Sequence, residues 1–138
     1  MTFRYLGAVA TAAILAMAAT PVIADDDDWA GLYQGLDAFD GSVDYLSIVP
    51  SSDGKFDIRV VPSAISLCES KVGWIVAEGR FVDDETLARE NVKVHCSDAE
   101  PKSVPDGVYS RDDQTGILTI ETPDDKRTNY YHKISNED

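Results

Sequence analysis

The segment Lys55-Phe56-Asp57-Ile58-Arg59-Val60 alternates strictly between charged and apolar side chains. In an extended chain the three apolar residues point to one side and the three charged residues to the other. Alternation with a period of two is typical of a β-strand that buries one face and exposes the other to water. This segment therefore predicts a half-buried strand, and similar patterns recur before and after it.

Eight segments in all carry strand signals, and turn sequences such as Asp40-Gly41 separate most of them. The predicted strands are residues 29–36, 43–49, 55–60, 72–81, 86–96, 107–112, 117–122 and 130–135. Residues 62–68 are irregular and predict at most one helical turn, and residues 97–106, with Pro101 and Pro105, form the longest predicted loop. The pattern predicts an all-β domain, an eight-stranded antiparallel up-and-down barrel, because closure removes exposed strand edges. A two-sheet β-sandwich is the alternative.

The first 24 residues have the order of a secretory signal peptide. Arg4 gives a short positive start, residues 5–19 carry no charge, and Val22 and Ala24 stand where a signal peptidase accepts small or apolar residues. The stretch is short and rich in Ala compared with a bilayer span of about 20 residues. A cleaved signal is therefore expected, and a retained N-terminal anchor helix is the alternative.

Cleavage after Ala24 gives three expected parts: the signal peptide at residues 1–24, a disordered acidic leader at 25–28 and a single β-domain at 29–138. Four adjacent carboxylates repel one another, which predicts a solvated leader and no Ca²⁺ site. The expected location is periplasmic or secreted, with no insertion into the membrane after cleavage.

The chain is acidic, with 12 Lys and Arg against 25 Asp and Glu and a net charge of −13. A negative surface repels phosphate backbones, so nucleic acid is not an expected partner. A basic protein would be attracted. The alternative reading is that the charge only keeps an exported monomer soluble.

The cysteines, Cys68 and Cys96, form an even pair. In an oxidising compartment such a pair predicts a disulfide bond, worth roughly 3–4 kcal/mol for a loop of this size. A metal or nucleophile site is the alternative, but neither cysteine has C-x-x-C spacing.

Motifs for catalysis are weak throughout. The carboxylate pairs of residues 83–85, 112–113 and 124–125 fall at predicted turns, where they point into water. His95 is expected to face solvent, whereas His132 shares a predicted face with Tyr130 and Ile134 and is expected to point inward, where it could respond to pH. We expect no enzyme activity, no metal and no cofactor.

Aromatic residues on the strands are the remaining candidates for a binding site. Tyr33, Phe56, Trp74 and Tyr109 are expected to line the barrel interior, where apolar walls with a few polar groups suit a small molecule. The alternative is that they form only the hydrophobic core.

The segment Trp29-Ala30-Gly31-Leu32-Tyr33, a W-x-G-x-Y pattern at the entry to the first strand, resembles the start of lipocalin-like (calycin) barrels. Together with Asp40-Gly41-Ser42 and the single cysteine pair, the pattern is similar to that of small exported bacterial β-barrel proteins. The resemblance implies a closed barrel with Trp29 packed across its base, and a cavity. Lipocalins are longer, and an eight-stranded barrel holds at most one small ligand.

Two functional hypotheses follow. The first is a non-enzymatic exported module that binds a small apolar or amphipathic ligand. The second is an acidic inhibitor that presents its loops to a basic enzyme such as a lysozyme or a protease. A structural role in the cell envelope is a further alternative.

Overall fold

The computed structural model describes residues 26–63, 65–69, 71–121 and 126–134. The expected signal peptide and the acidic pair at 124–125 lie outside these residues, so the structure does not bear on either. The described chain begins with a short helical turn, α1 (Asp26–Trp29), where the sequence predicted a disordered leader.

Nine β-strands follow α1, and they make up most of the described chain. They are β1 (Gly31–Leu36), β2 (Val43–Pro50), β3 (Phe56–Pro62), β4 (Gly73–Asp83), β5 (Thr86–Cys96), β6 (Ala99–Ser103), β7 (Gly107–Arg111), β8 (Leu118–Glu121) and β9 (Thr128–Lys133). Two short 3-10 helices lie in the connections that lead to β3 and β4. They are Ser52–Gly54 and Ser66–Cys68. The second of these is the helical turn expected within residues 62–68.

The sheet closes on itself as an eight-stranded antiparallel barrel. Strands β1 to β5 pair in sequence, β5 pairs with β7, β7 with β8, β8 with β9, and β9 returns to β1. The predicted up-and-down barrel is therefore confirmed, and the sandwich alternative is not observed. Closure leaves no free edge in the ring of eight strands.

Strand β6 is the exception, and the sequence placed it in a loop. It pairs with the second half of β5, through Lys93 and Ser103, while β7 pairs with the first half of β5. The two strands thus run along the same side of β5 as one strand interrupted near Pro105, and Val104 N–H still donates to the Val92 carbonyl at 3.1 Å. The prediction of a loop over 97–106 was wrong because β6 has both faces in water and so lacks an alternating apolar pattern.

The core lies inside the ring. Inward side chains alternate along the strands, as in β2, where Leu46 and Ile48 are fully buried while Tyr45 and Val49 are exposed. In β3 the quoted segment behaves as predicted: Phe56, Ile58 and Val60 are buried and the charged residues between them are exposed.

The disulfide between Cys68 and Cys96 is present, with a Cα–Cα distance of 5.4 Å. It ties the 3-10 turn before β4 to the end of β5, next to a small buried cluster with Ile65 and Val94. A Cβ added to Gly73 would come within 2.7 Å of Cys68 Sγ, so β4 must begin with a glycine for the bond to fit. Within the described part of the chain, no helix is long and apolar enough to cross a membrane.

Candidate functional site

The two ends of the barrel differ. At the end where β1 begins, aromatic rings fill the interior: Trp29 is fully buried and lies edge-on to Phe81, which in turn contacts Phe56. The Tyr33 hydroxyl donates to the Trp29 carbonyl at 2.8 Å and fixes the helical turn against this end. Trp29 thus closes this end of the barrel.

The opposite end contains a cavity of about 370 Å³. This volume is at the lower end of the roughly 300–1,000 Å³ that is typical of small-molecule sites. The connections β1–β2, β3–β4 and β6–β7 surround it, together with the inward ends of the strands. Its lining residues are Asp37, Phe39, Asp40, Asp44, Val60, Pro62, Ile65, Ser66, Leu67, Ile75, Arg89, Val94, Ser103, Val104, Pro105, Ile120, Glu121, Asn129 and Tyr131.

Asp44 is the most unusual residue of the cavity. It is a carboxylate on the inward face of β2, only 3% exposed, and in phase with Leu46 and Ile48. One oxygen, Oδ2, accepts a hydrogen bond from the Tyr131 hydroxyl at 3.2 Å. The other oxygen, Oδ1, is buried and has no donor among the residues that the structure describes. Burial, reinforced by the nearby charge of Asp37, raises the pKa of Asp44 to about 6.

Two residues of β9 frame this carboxylate. Tyr131 packs its ring against Gly35 of β1, where an added Cβ would meet the ring at 2.7 Å. Burial raises the pKa of Tyr131, so its hydroxyl stays protonated and donates to Asp44. Asn129 is also buried, and its Oδ1 accepts from the Ala38 backbone N–H at 2.8 Å, which holds the β1–β2 connection over the cavity.

A guanidinium reaches the same cavity from β5. The Arg89 side chain lies over the Tyr109 ring, with Cζ 5.8 Å from the ring centroid, a distance at which cation–π attraction operates. Its Nε is buried and makes no hydrogen bond to any described residue, and the same holds for the Tyr109 hydroxyl. Asp44 and Arg89 thus both line the cavity, and each has a buried polar atom, Oδ1 and Nε, without a hydrogen-bond partner among the described residues.

Three of the four aromatic residues predicted to face the interior do so. Tyr33, Phe56 and Tyr109 are at most 1% exposed. None of the four lines the cavity, however; the three buried ones belong to the main hydrophobic core.

The inward placement predicted for Trp74 was wrong. Trp74 is 40% exposed and stacks its ring on His95 on the outer surface, with the ring centroids 5.3 Å apart. Neighbouring residues on a strand face opposite sides, and here Gly73 takes the inward position because the disulfide occupies that space. His95 lies on the outer face, as predicted.

The inward placement predicted for His132 was also wrong. His132 and Tyr130 are exposed on the outer face of β9, and Asn129 and Tyr131 point inward instead. The pairing of Tyr131 with Gly35 sets this phase, since the glycine leaves the room that the tyrosine ring fills. His132 is thus not buried.

The acidic turns at residues 83–85 and 112–113 are solvated, as predicted. Asp83 Oδ1 accepts from the Glu85 backbone N–H and from the Thr86 hydroxyl, and Asp112 Oδ1 accepts in the same way from Gln114 and Thr115. These carboxylates stabilise turns and lower their own pKa values through those bonds. Over the described residues no three His, Cys, Asp or Glu side chains gather as a metal site would require.

Sequence reasoning missed the polar residues of the cavity, namely Asp44, Arg89, Asn129 and Tyr131. A signal for Asp44 was present, because it shares the period of Leu46 and Ile48 on β2. For Arg89 the sequence carried no such signal. Asn91 has a left-handed φ of 54° and sits at a bulge that reverses the inward phase of β5, and a bulge leaves no clear mark in the sequence.

Fold and site together define a small antiparallel β-barrel, closed by aromatics at one end and with an acid-containing cavity at the other. Comparison with known proteins adds no closer assignment: no family model, no curated protein and no solved structure matches the chain.

Proposed function

We propose that the protein is a non-enzymatic binding module that holds one small amphipathic molecule in the end cavity of the barrel. The observation that carries the proposal is the cavity of about 370 Å³, which joins apolar side chains to buried polar atoms without hydrogen-bond partners in the described chain. Such walls, with a few polar groups that fix orientation, are what a small-molecule site requires.

The barrel and the disulfide also agree with a lipocalin-like carrier. The barrel has eight antiparallel strands, and a barrel of this size has room for a single small ligand. The disulfide is of the kind that persists in oxidising compartments, which supports an exported, periplasmic or secreted protein. We therefore also propose that the protein is lipocalin-like and that it is exported.

Two neighbouring valines of β3 provide a matched test. Val60 lines the cavity and is 3% exposed, whereas Val61 points outward and is 52% exposed. In Val60→Phe the larger ring should occupy cavity space, and in Val61→Phe the same change should leave the cavity intact.

The measurement is native mass spectrometry with a panel of small amphipathic molecules. We expect one-to-one complexes with the wild type and with Val61→Phe, and none with Val60→Phe. We also expect Val60→Phe to unfold at nearly the wild-type urea concentration, because a ring that enters open space avoids the overpacking cost of about 1–3 kcal/mol. Absence of any complex with the wild type, or equal binding by both variants, would refute the proposal. Tryptophan fluorescence is a poor reporter here, since neither Trp29 nor Trp74 lines the cavity.

An acidic protein-binding inhibitor is the second candidate, and the β1–β2 connection favours it. Phe39 is 63% exposed there between Asp37 and Asp40, and Arg127 lies over its ring at 5.2 Å. A fixed aromatic side chain flanked by carboxylates suits a basic protein surface, where aromatic residues often dominate the binding energy.

This candidate is tested with immobilised lysozyme, a basic enzyme, at low and high salt. Binding that weakens with salt and is lost in Phe39→Ala supports an inhibitor; the matched control is Val49→Ala, which removes an apolar side chain that is 51% exposed elsewhere on the surface. Binding that does not change with salt concentration, or that is lost equally in both variants, counts against the inhibitor.

A further inference from the structure

The charges around the cavity are unequal. Of the described residues that line it, four carry carboxyl groups, namely Asp37, Asp40, Asp44 and Glu121, and Arg89 alone carries a positive charge. Lys126 partly offsets Glu121 through an ion pair of 3.3 Å, and Arg127 holds the β1–β2 connection from outside. The remaining negative charge is concentrated in the acids of β2 and the β1–β2 connection.

The oxygens of these acids are not equally available. Asp37 Oδ1 accepts from the Phe39 backbone N–H at 2.6 Å, and Asp40 Oδ1 accepts from the Ser42 backbone N–H at 2.8 Å. Both bonds hold the connection in place. Asp44 lines the cavity, and its Oδ1 is buried and receives no hydrogen bond from the described part of the chain. It is therefore the acceptor that a ligand would use.

We propose that the ligand of this cavity carries an ammonium group, which donates to Asp44 Oδ1 while its apolar body packs against Val60, Ile75, Val94 and Ile120. The inference rests on the proposed function and specifies the chemical class of its ligand.

An anionic head group fits this site poorly. Arg89 could pair with a carboxylate, but an anion in the cavity would also be repelled by the carboxylates of Asp37 and Asp40. A neutral hydroxyl could donate to Asp44 yet would leave the repulsion among the three acids unchanged. An ammonium group supplies both the donor and the opposite charge, so it satisfies the buried carboxylate and reduces that repulsion.

Protonation of Asp44 gives the site a pH dependence. Desolvation and the charges of Asp37 and Asp40 raise its pKa, and the hydrogen bond from Tyr131 opposes the rise. Tyr109 and Tyr131 also face it but remain neutral, since burial raises their pKa values. Arg89 from β5, Glu121 from β8 and the neutral Asn129 from β9 complete the groups around the cavity.

An ammonium ligand prefers the ionised carboxylate, so its affinity should fall as the pH drops through about 6. With that pKa, linkage predicts a loss of about tenfold between pH 7.5 and pH 5. The amine itself stays charged over this range, as the lysine amine does with a pKa of about 10.4.

The test is a titration of the folded protein by isothermal calorimetry with three ligands of equal chain length: hexylammonium, 1-hexanol and hexanoate. We expect hexylammonium to bind at least about tenfold more tightly than either of the others at pH 7.5, in line with the cost of leaving a buried charge unpaired. We also expect that advantage to shrink at pH 5.

Two isosteric variants complete the design. Asp44→Asn removes the charge inside the cavity, and Asp57→Asn removes an exposed charge on the outer face of β3. We expect Asp44→Asn to abolish the preference for hexylammonium and its pH dependence, and Asp57→Asn to keep both.

Each outcome decides a different claim. If 1-hexanol or hexanoate binds as tightly as hexylammonium, or if Asp44→Asn keeps the preference, the ammonium assignment is overturned while the binding function stands. If none of the three ligands, nor any member of the wider amphipathic panel, binds the wild type, the proposed function fails and the inference fails with it.

Discussion

At the scale of the residue, Asp44 connects the fold to the site. A carboxylate on the inward face of β2, beside a hydrophobic core, costs free energy when it is ionised, because it loses water and gains a single hydrogen bond from Tyr131. Buried groups with perturbed pKa values are common at functional sites. Asp44 is thus both a weak point in stability and the main polar feature of the cavity.

This cost leads to a stability prediction for Asp44→Asn. The folded-state pKa of about 6 lies above that of the unfolded chain, so the folded state binds more protons between about pH 4 and pH 6, and ionisation of Asp44 destabilises it as the pH rises. Asparagine cannot ionise. We expect Asp44→Asn to raise the free energy of unfolding by about 1–2 kcal/mol at pH 7.5 and to lose that advantage near pH 4.

Urea unfolding of both proteins at the two pH values checks this, with Asp57→Asn as the exposed control. A variant that is more destabilised at pH 7.5 than at pH 4 would mean that Asp44 is stabilising in its ionised form, contrary to its burial.

Individual residues also show where alternation in the sequence predicts the direction of a side chain and where it does not. Tyr33, Phe56 and Tyr109 were placed in the interior correctly. Phe56 stands in phase with Ile58 and Val60 on β3, whereas Tyr33 and Tyr109 share their inward faces with glycine residues. Trp74 was expected inside as an aromatic residue and His132 by its predicted face with Tyr130 and Ile134, but both lie on the outer face. In both cases a glycine decided the orientation: Gly73 beside the disulfide and Gly35 beneath Tyr131. Such close approaches depend on partners distant in sequence.

At the scale of the element, strand existence was easier to predict than strand continuity. All eight predicted strands are present, and each stays close to its predicted range. Strand β6 was missed because it is exposed on both faces, and the bulge of β5 at Asn91 was missed because it interrupts the alternation by a single residue. That bulge turns Arg89 inward, so the place of this guanidinium in the cavity lining depends on an irregularity of the strand.

The disulfide is the element-scale feature with the largest expected energy. It holds Ser66–Cys68, the 3-10 turn whose first two residues line the cavity, against the end of β5. We expect Cys68→Ala/Cys96→Ala to lower the free energy of unfolding by about 3–4 kcal/mol through the larger entropy of the unfolded chain. Ligand affinity should fall as well, because the turn over the cavity loses its attachment.

Urea titration of the wild type with and without a reductant, beside the double variant, measures this loss. Reductant should lower the stability of the wild type towards that of the variant and leave the variant unchanged. A loss below about 1 kcal/mol would show that strand pairing alone holds the turn, contrary to the expected effect of the cross-link.

At the scale of the whole molecule, the closed barrel could be predicted and the position of its cavity could not. Eight alternating segments joined by short turns have few ways to bury a common face, and the up-and-down barrel also removes the free edges. The cavity depends on how large side chains divide the interior. Trp29, Phe56 and Phe81 fill one end, whereas smaller aliphatic residues and a carboxylate occupy the other. That distribution follows from strand register, which the sequence leaves open.

The claim that a small amphipathic ligand enters the acidic end of the barrel is tested most directly by methyl NMR with hexylammonium. We expect chemical-shift changes at the cavity methyls of Val60, Ile75, Val94 and Ile120, and little change at Leu87 in the core near the aromatic end. Changes confined to outward methyls such as those of Val61, Val72 and Val108, or no changes at saturating ligand, would contradict the account.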